Sequence, residues 1–335
     1  MAPNPVGQII DDRYRVLGVL GQGAHGVVYA AEDETLGSRV ALKFLSNELA
    51  SDPAFKVRMH REARAMGALS GTSAAQIFAF NKTPEGGLYI VMELLAGRDL
   101  EAYLREIEGH GGRIELRRLV GLLGPIADTL ERAHGLSLVH RDVKPGNIFV
   151  LDTLARGGVR LLDFGLAKDL NATTLTAEGM VAGSPAYIAP EVWRGRAREA
   201  DRRIDVYSLG AVLFRALAGA PPFDPKQPMD RFLVAVTRGP RPSLAALRKD
   251  LPVAIDGWVE KALAVEPDDR FGSIAKMWGA LRAISELPTR DGHATPAPPA
   301  RPAPPEPPSE PWEVEIDVDI DVEVASLRGT DLGRR

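Results

Sequence analysis

Short apolar runs rich in β-formers, separated by turn residues, open the chain. YRVLGVL (14–20), VVYAAED (27–33) and RVALKFL (39–45) predict an antiparallel meander. Residues 53–69 then place apolar positions near helical spacing, which predicts one helix. QIFAF and LYIVMEL, separated by Asn81 to Gly87, predict a further hairpin. Beyond Leu95 the pattern becomes helical. Residues 115–134 and 205–219 read as helices, the second apolar nearly all round and therefore buried and central. Residues 253–286 give further helical segments. The expectation is an α+β, two-lobed fold: a β-rich lobe at 14–95 with one helix, a larger helical lobe at 96–286, and an N-terminal extension at 1–13. A chain of 335 residues also exceeds what one hydrophobic core usually serves.

Residues 287–311 hold ten of the 26 prolines, so they read as a stiff, unpacked polyproline-type linker. The acidic tail 312–335 follows, opening on WEVEIDVDIDVEV. In a strand this alternation would put Glu313, Glu315, Asp317, Asp319, Asp321 and Glu323 on one face and valines and isoleucines on the other. Two readings stand: 312–324 docks as an added strand on a sheet edge of this protein or a partner, or it is a solvated acidic tail. A calcium site is disfavoured, because no glycine-containing loop of the known spacing is present.

Net charge is −4, from 41 basic and 45 acidic residues. The tail alone accounts for −4, so the remainder is neutral and offers no field for nucleic acid. Cysteine is absent, which excludes disulfides and thiolate chemistry and fits a reducing compartment. No run approaches the roughly 18 apolar residues that span a bilayer, and MAPNPVGQII lacks the pattern of a secretion signal. A cytoplasmic protein with no membrane partner is expected.

Two stretches carry chemistry. LGQGAHGVV (20–28) fits G-x-G-x-x-G, with Gly21, Gly23 and Gly26 followed by Val28. A dinucleotide fingerprint has the same spacing but opens a helix; here the glycines lie between strand-like runs, as a hairpin tip whose backbone N–H groups can approach phosphate. Lys43 lies in an apolar strand, where a cation needs a partner, and Glu62 on the following helix is the candidate. The second stretch is VHRDVKPGNIFV (139–150), which crowds His140, Arg141, Asp142, Lys144 and Asn147 between apolar ends. Pro145 and Gly146 make it a tight loop.

With Asp163-Phe-Gly165 and Ala189-Pro-Glu191 following in order, the chain resembles a serine/threonine protein kinase, most similar to the bacterial eukaryotic-like (Hanks-type) forms. The resemblance covers about 14–286 and implies the two-lobed protein kinase-like fold. It implies transfer of the ATP γ-phosphate to Ser/Thr hydroxyls of protein substrates, with Mg2+ or alternatively Mn2+. Such transfer needs positioning and charge neutralisation more than covalent help. By the resemblance Asp142 accepts the hydroxyl proton, Lys144 contacts the transferred phosphate, and Asn147 and Asp163 give oxygens to the metal. Leu20, Gly21, Gly23 and Gly26 cover the nucleotide. Lys43 binds the α/β-phosphates and is held by Glu62. Met92, Glu93 and Leu95 form the adenine-binding hinge, while Val28, Ala41 and Phe149 sandwich the ring. His140 packs rather than transferring protons.

The same resemblance gives Arg141 a phosphorylated partner on the activation segment, with Thr173, Thr174 and Thr176 as candidates for autophosphorylation. Ser184 would bridge Asp142 and Lys144. Glu191 would pair with Arg270, and Asp205 would orient the catalytic loop. SGTSAAQIF lacks the family's His-Pro-Asn-like turn, and Arg156-Gly157-Gly158 suggests a lengthened hairpin before Asp163. The competing readings are a pseudokinase scaffold and a small-molecule phosphotransferase of related fold. Intact Lys43, Asp142, Asn147 and Asp163 count against the first, and the Asp163–Glu191 activation segment counts against the second.

Overall fold

In a computed structural model, the described residues are 5–23, 26–46, 67–83, 87–153, 158–164, 184–197 and 199–288. Glu62 with most of the helix expected at 53–69, Arg156, Gly157, Gly165, Thr173, Thr174, Thr176, the proline-rich linker and the acidic tail lie outside them. The chain divides into Met1–Gly292 and His293–Arg335.

Six strands build the first sheet: β1 (Ile9–Ile10), β2 (Tyr14–Gly23), β3 (Gly26–Asp33), β4 (Ser38–Leu45), β5 (Ile77–Lys82) and β6 (Leu88–Glu93). Their order is β1-β2-β3-β4-β6-β5, and every pairing is antiparallel. The sheet begins before the expected boundary at Tyr14: Ile9 and Ile10 pair with Arg15 and Tyr14. The turn between them is closed by Arg13 N–H donating to the Ile10 carbonyl at 3.1 Å, with Asp11 and Asp12 both at φ 52°. Aspartate tolerates that left-handed region better than most residues, and it suits the right-handed twist of a hairpin. One face buries Tyr14, Val16, Tyr29, Ala31, Val40, Leu42, Tyr89 and Val91 as a core. Phe44 stacks on Tyr89 at 5.2 Å, and Tyr14 meets Tyr89 edge-on at 6.4 Å.

The second body is mainly helical: α1 (Leu100–Gly109), α2 (Leu116–Gly135), α3 (Pro190–Trp193), α4 (Arg203–Ala218), α5 (Met229–Arg238), α6 (Leu244–Leu247), α7 (Ala254–Ala262) and α8 (Ile274–Ser285). Every residue of α4 from Ile204 to Leu217 is buried, which fits its unbroken apolar character. It ends at Gly219, held in the left-handed region at φ 85°, where glycine is the usual cap. Gly210 lets α4 approach α7 closely: a Cβ there would sit 3.1 Å from Ala262 Cβ.

A three-stranded sheet joins β7 (Gly97–Asp99), β8 (Ile148–Leu151) and β9 (Val159–Leu161), and β8 follows directly on the polar loop of residues 140–147. Its hairpin carries Gly158 at φ 70°. The segment 70–76, which lacks the His-Pro-Asn-like turn, is fastened by one hydroxyl of its own and one from α2. Thr72 Oγ1 donates to Leu69 O at 2.6 Å, and Ser73 N–H donates to Thr129 Oγ1 on α2 at 3.0 Å. No helix among the described residues is long and apolar enough to cross a membrane.

Candidate active site

β2 and β3 bring the glycines together in register, with Gly23 opposite Gly26 and Gly21 opposite Val28. The three glycines serve different ends. Gly26 has φ 135°, and a Cβ there would fall 1.8 Å from Phe44 O on β4, so only glycine fits. Gly21 and Gly23 have open space where a Cβ would project, which leaves their backbone approachable. Leu20, also on β2, is exposed. Val28 opposes Lys43, and Ala41 opposes Met92 across β4 and β6. Val28, Met92, Leu95 and Phe149 are half-buried and Ala41 is buried. The Glu93 side chain turns elsewhere: its Oε1 accepts from Gln76 N–H and Arg160 Nε.

Lys43 is 9% exposed on β4, and its ammonium lies 2.5 Å from Asp163 Oδ1. A buried cation finds its counter-charge 120 residues away in sequence. Asp163 itself is at φ 52°, an unusual conformation for a residue other than glycine. Phe164 beside it is buried, with its ring 4.7 Å from the ring of His140.

The loop at 140–147 hangs from one carboxylate. Asp205, fully buried near the start of α4, accepts from His140 N–H and Arg141 N–H at 2.8 Å each and bonds His134 Nε2 at 2.8 Å. Those bonds fix Arg141 at φ 63°. His140 Nε2 bonds Leu162 O at 2.9 Å while Nδ1 accepts from Asp142 N–H at 3.3 Å, a pattern that selects the tautomer protonated at Nε2. Asn147 closes a 3-10 turn (Pro145–Asn147), and its carbonyl accepts from Leu162 N–H at 2.8 Å, tying this loop to the strand before Asp163.

Around Asp142 the geometry is specific. Its Oδ2 accepts from Lys144 Nζ at 2.8 Å and Asn147 Nδ2 at 2.9 Å, and Asn147 Nδ2 also reaches Asp142 O. The expected bridge from Ser184 is not made. Lys144 contacts Asp142 directly, while Ser184 spends its carbonyl opening the turn Pro185–Tyr187 and its hydroxyl bonds neither residue. Arg141 is exposed, and among the described residues no carboxylate pairs with it. Glu191 and Arg270 form a buried two-pronged pair, at 2.9 and 2.6 Å.

The donors left over suit a hard divalent cation. Asn147 has its amide nitrogen engaged, leaving Oδ1, and Asp163 has Oδ1 on Lys43, leaving Oδ2. Such all-oxygen sites complete their shell with water and phosphate.

A glycine hairpin, a strand lysine paired with an aspartate on the second body, and a carboxylate held by lysine and asparagine thus occur together on a two-lobed scaffold. Residues 14–277 match the family model described as the protein kinase domain, and the chain belongs to that family. It is 37% identical over 302 residues to the serine/threonine-protein kinase PknA of Mycobacterium tuberculosis, covering 89% of this chain and 66% of PknA. It is 34% identical over 303 residues to the serine/threonine-protein kinase Pkn1 of Myxococcus xanthus, covering 87% of this chain and 42% of Pkn1. The chain therefore spans less than two thirds of the length of these relatives. Among solved structures it resembles the PknI kinase domain of Mycobacterium tuberculosis, at 28% identity and TM-score 0.64, covering 84% of this chain and 99% of that one.

Arg160 and Gln76 escaped the sequence reading. No spacing rule marks either, since their meaning lies in bonds to Glu93 from distant segments.

Proposed function

We propose that this protein is a serine/threonine kinase that transfers the ATP γ-phosphate to hydroxyls of protein substrates. The observation behind this reading is the Asp142 carboxylate, held by Lys144 and Asn147 on a loop suspended from Asp205. In the proposed reaction Asp142 takes the hydroxyl proton as the oxygen attacks, and the Lys144 ammonium neutralises charge on the moving phosphoryl group. Lys43 exchanges its contact with Asp163 for the α/β-phosphates. Leu20, the glycines, Val28, Ala41, Met92, Leu95 and Phe149 enclose the nucleotide, with Glu93 contributing through its backbone. Asn147 and Asp163 hold the divalent ion, which supplies charge neutralisation; a small octahedral cation such as Mg2+ fits two protein oxygens better than a cage would, with Mn2+ as the alternative.

Incubation with labelled ATP, Mg2+ and a Ser/Thr peptide tests this, with modified residues mapped by mass spectrometry. Asp142→Asn should lower turnover by about 10²–10⁴-fold, the usual weight of a positioned base. Turnover by that variant equal to wild type would remove Asp142 from the role of base, and no turnover by the wild type would leave the pseudokinase reading in its place.

Exposed Arg141, without a carboxylate partner among the described residues, supports a switch in which phosphorylation of Thr173, Thr174 or Thr176 supplies that partner. The triple Thr→Ala variant should then turn over peptide more slowly than wild type, and equal rates would remove the switch. The tail belongs to the same proposal as a partner-capturing strand, with the solvated tail as its alternative; deleting 312–335 should abolish capture without slowing peptide turnover. A cytoplasmic setting is inferred from the absence of cysteine.

A further inference from the structure

Glu93 is the last residue of β6 and opens the segment assigned above to adenine. Its side chain is only 15% exposed, and Oε1 accepts from Gln76 N–H at 2.8 Å and from Arg160 Nε at 3.1 Å. Its own N–H donates to Gln76 O at 2.9 Å. Arg160 on β9 is 3% exposed, and its Nη1 also donates to Val159 O at 2.8 Å. The next residue, Leu161, exchanges bonds with segment 73–75: Leu161 N–H to Ser73 O at 2.7 Å and Ala75 N–H to Leu161 O at 2.9 Å. Two residues later comes Asp163. One carboxylate thus joins the end of β6, the segment before β5 and the strand that delivers the metal-binding aspartate.

The pair lies on the wall of a cavity of about 1280 Å3, together with Gln76, Asp128, Thr129 and Arg132. Lys43, Asp142, Asn147 and Asp163 do not line that cavity, so the Glu93–Arg160 pair acts from behind the nucleotide site. A buried ion pair is poor evidence for stability, since apolar residues of equal volume often serve as well. Its best-attested use is to fix register between elements. Here each partner also bonds the backbone, which makes the connection directional as well as attractive.

We propose that Arg160 is a positioning residue: through Glu93 it holds the backbone of 93–95 in fixed register with β9, setting the separation between the adenine and phosphate ends of the nucleotide site. The inference rests on the kinase reading and adds to it a residue that touches no substrate.

The test uses the full chain with Arg160→Met and with Arg160→Met/Glu93→Gln, the second avoiding a lone buried carboxylate. Turnover is measured against ATP and peptide separately, and ADP affinity is measured by calorimetry. Both variants should raise the ATP KM and the ADP Kd by about tenfold, the scale of a lost charge-assisted bond. The peptide KM and the kcat at saturating ATP should stay within about twofold. The double variant should melt close to wild type yet keep the raised ATP KM. An unchanged ATP KM and ADP Kd in the folded double variant would overturn the proposal, as would peptide KM and kcat changing in step with the ATP KM. If the unaltered chain shows no turnover the kinase reading fails by itself, and the ADP measurement still decides the role of Arg160.

Discussion

His140 is an ionisable side chain sealed from water, and burial pushes its imidazole below the ordinary range, outweighing the pull of Asp205. Its neutral form is already committed on both nitrogens, to Leu162 O and to Asp142 N–H, with Phe164 against the ring. It works as a spacer between the loop and the strand, in keeping with the packing role expected from the motif. The consequence for pH follows from linkage. The unfolded imidazole titrates near about 6.5 and the folded one lower, so the unfolded state binds more protons as pH falls. The stabilisation is complete above the unfolded value and is lost as pH falls through the window beneath it. Urea melts between pH 7 and 5 should therefore fall more steeply for wild type than for His140→Phe, by up to about 1.4 kcal/mol per pH unit for one proton. Parallel slopes would mean that His140 charges freely in the folded protein.

Elements differed in how plainly the sequence announced them, and the difference is physical. β2 to β4 and α4 carry their own hydrophobic pattern, and they stand where the pattern put them. β7 is Gly-Arg-Asp, with no pattern at all: it is a strand because β8 pairs with it, and Gly97 at φ 144° admits the Val150 carbonyl where a Cβ would sit at 2.1 Å. α1 buries only Leu100 and Leu104 among ten residues, too sparse a stripe to stand out. The site was more legible than these, because Asp142, Lys144 and Asn147 share one short loop. Ser184 misled because a motif position does not fix a hydroxyl's partner. The Glu191–Arg270 pair sits at the junction of α3 with the turn before α8, and its two partners are unequal. Arg270 also donates to Ala264 O, Val265 O and Arg203 O, so its removal strands three carbonyls together with a buried carboxylate. Arg270→Met should cost about 3–5 kcal/mol in urea unfolding, whereas Glu191→Gln keeps an acceptor and should cost less. The reverse ranking would place the stabilisation on the carboxylate.

At the scale of the whole catalytic body, two cores meet at a few polar contacts. The sheet core is built on Tyr14, Leu42 and Tyr89, and the helical core on α2 and α4. Lys43 on the first and Asp163 on the second touch directly. A nucleotide with its divalent ion would replace that one contact by several, binding the folded state and not the unfolded chain. At one hundred times its dissociation constant it should add about 2.7 kcal/mol. For a body of this size, Met1–Gly292, that corresponds to a rise of about 4–5 °C in melting temperature. Because Asp163 is the carboxylate assigned to the metal, Asp163→Asn should melt lower without ligand, having weakened the partner of buried Lys43. It should also lose the part of the ADP-induced rise that depends on added Mg2+. Thermal melts of both proteins with ADP, in Mg2+ and in chelator, separate the two effects. An ADP-induced rise of equal size in chelator and in Mg2+ for the wild type would remove the metal from Asn147 and Asp163.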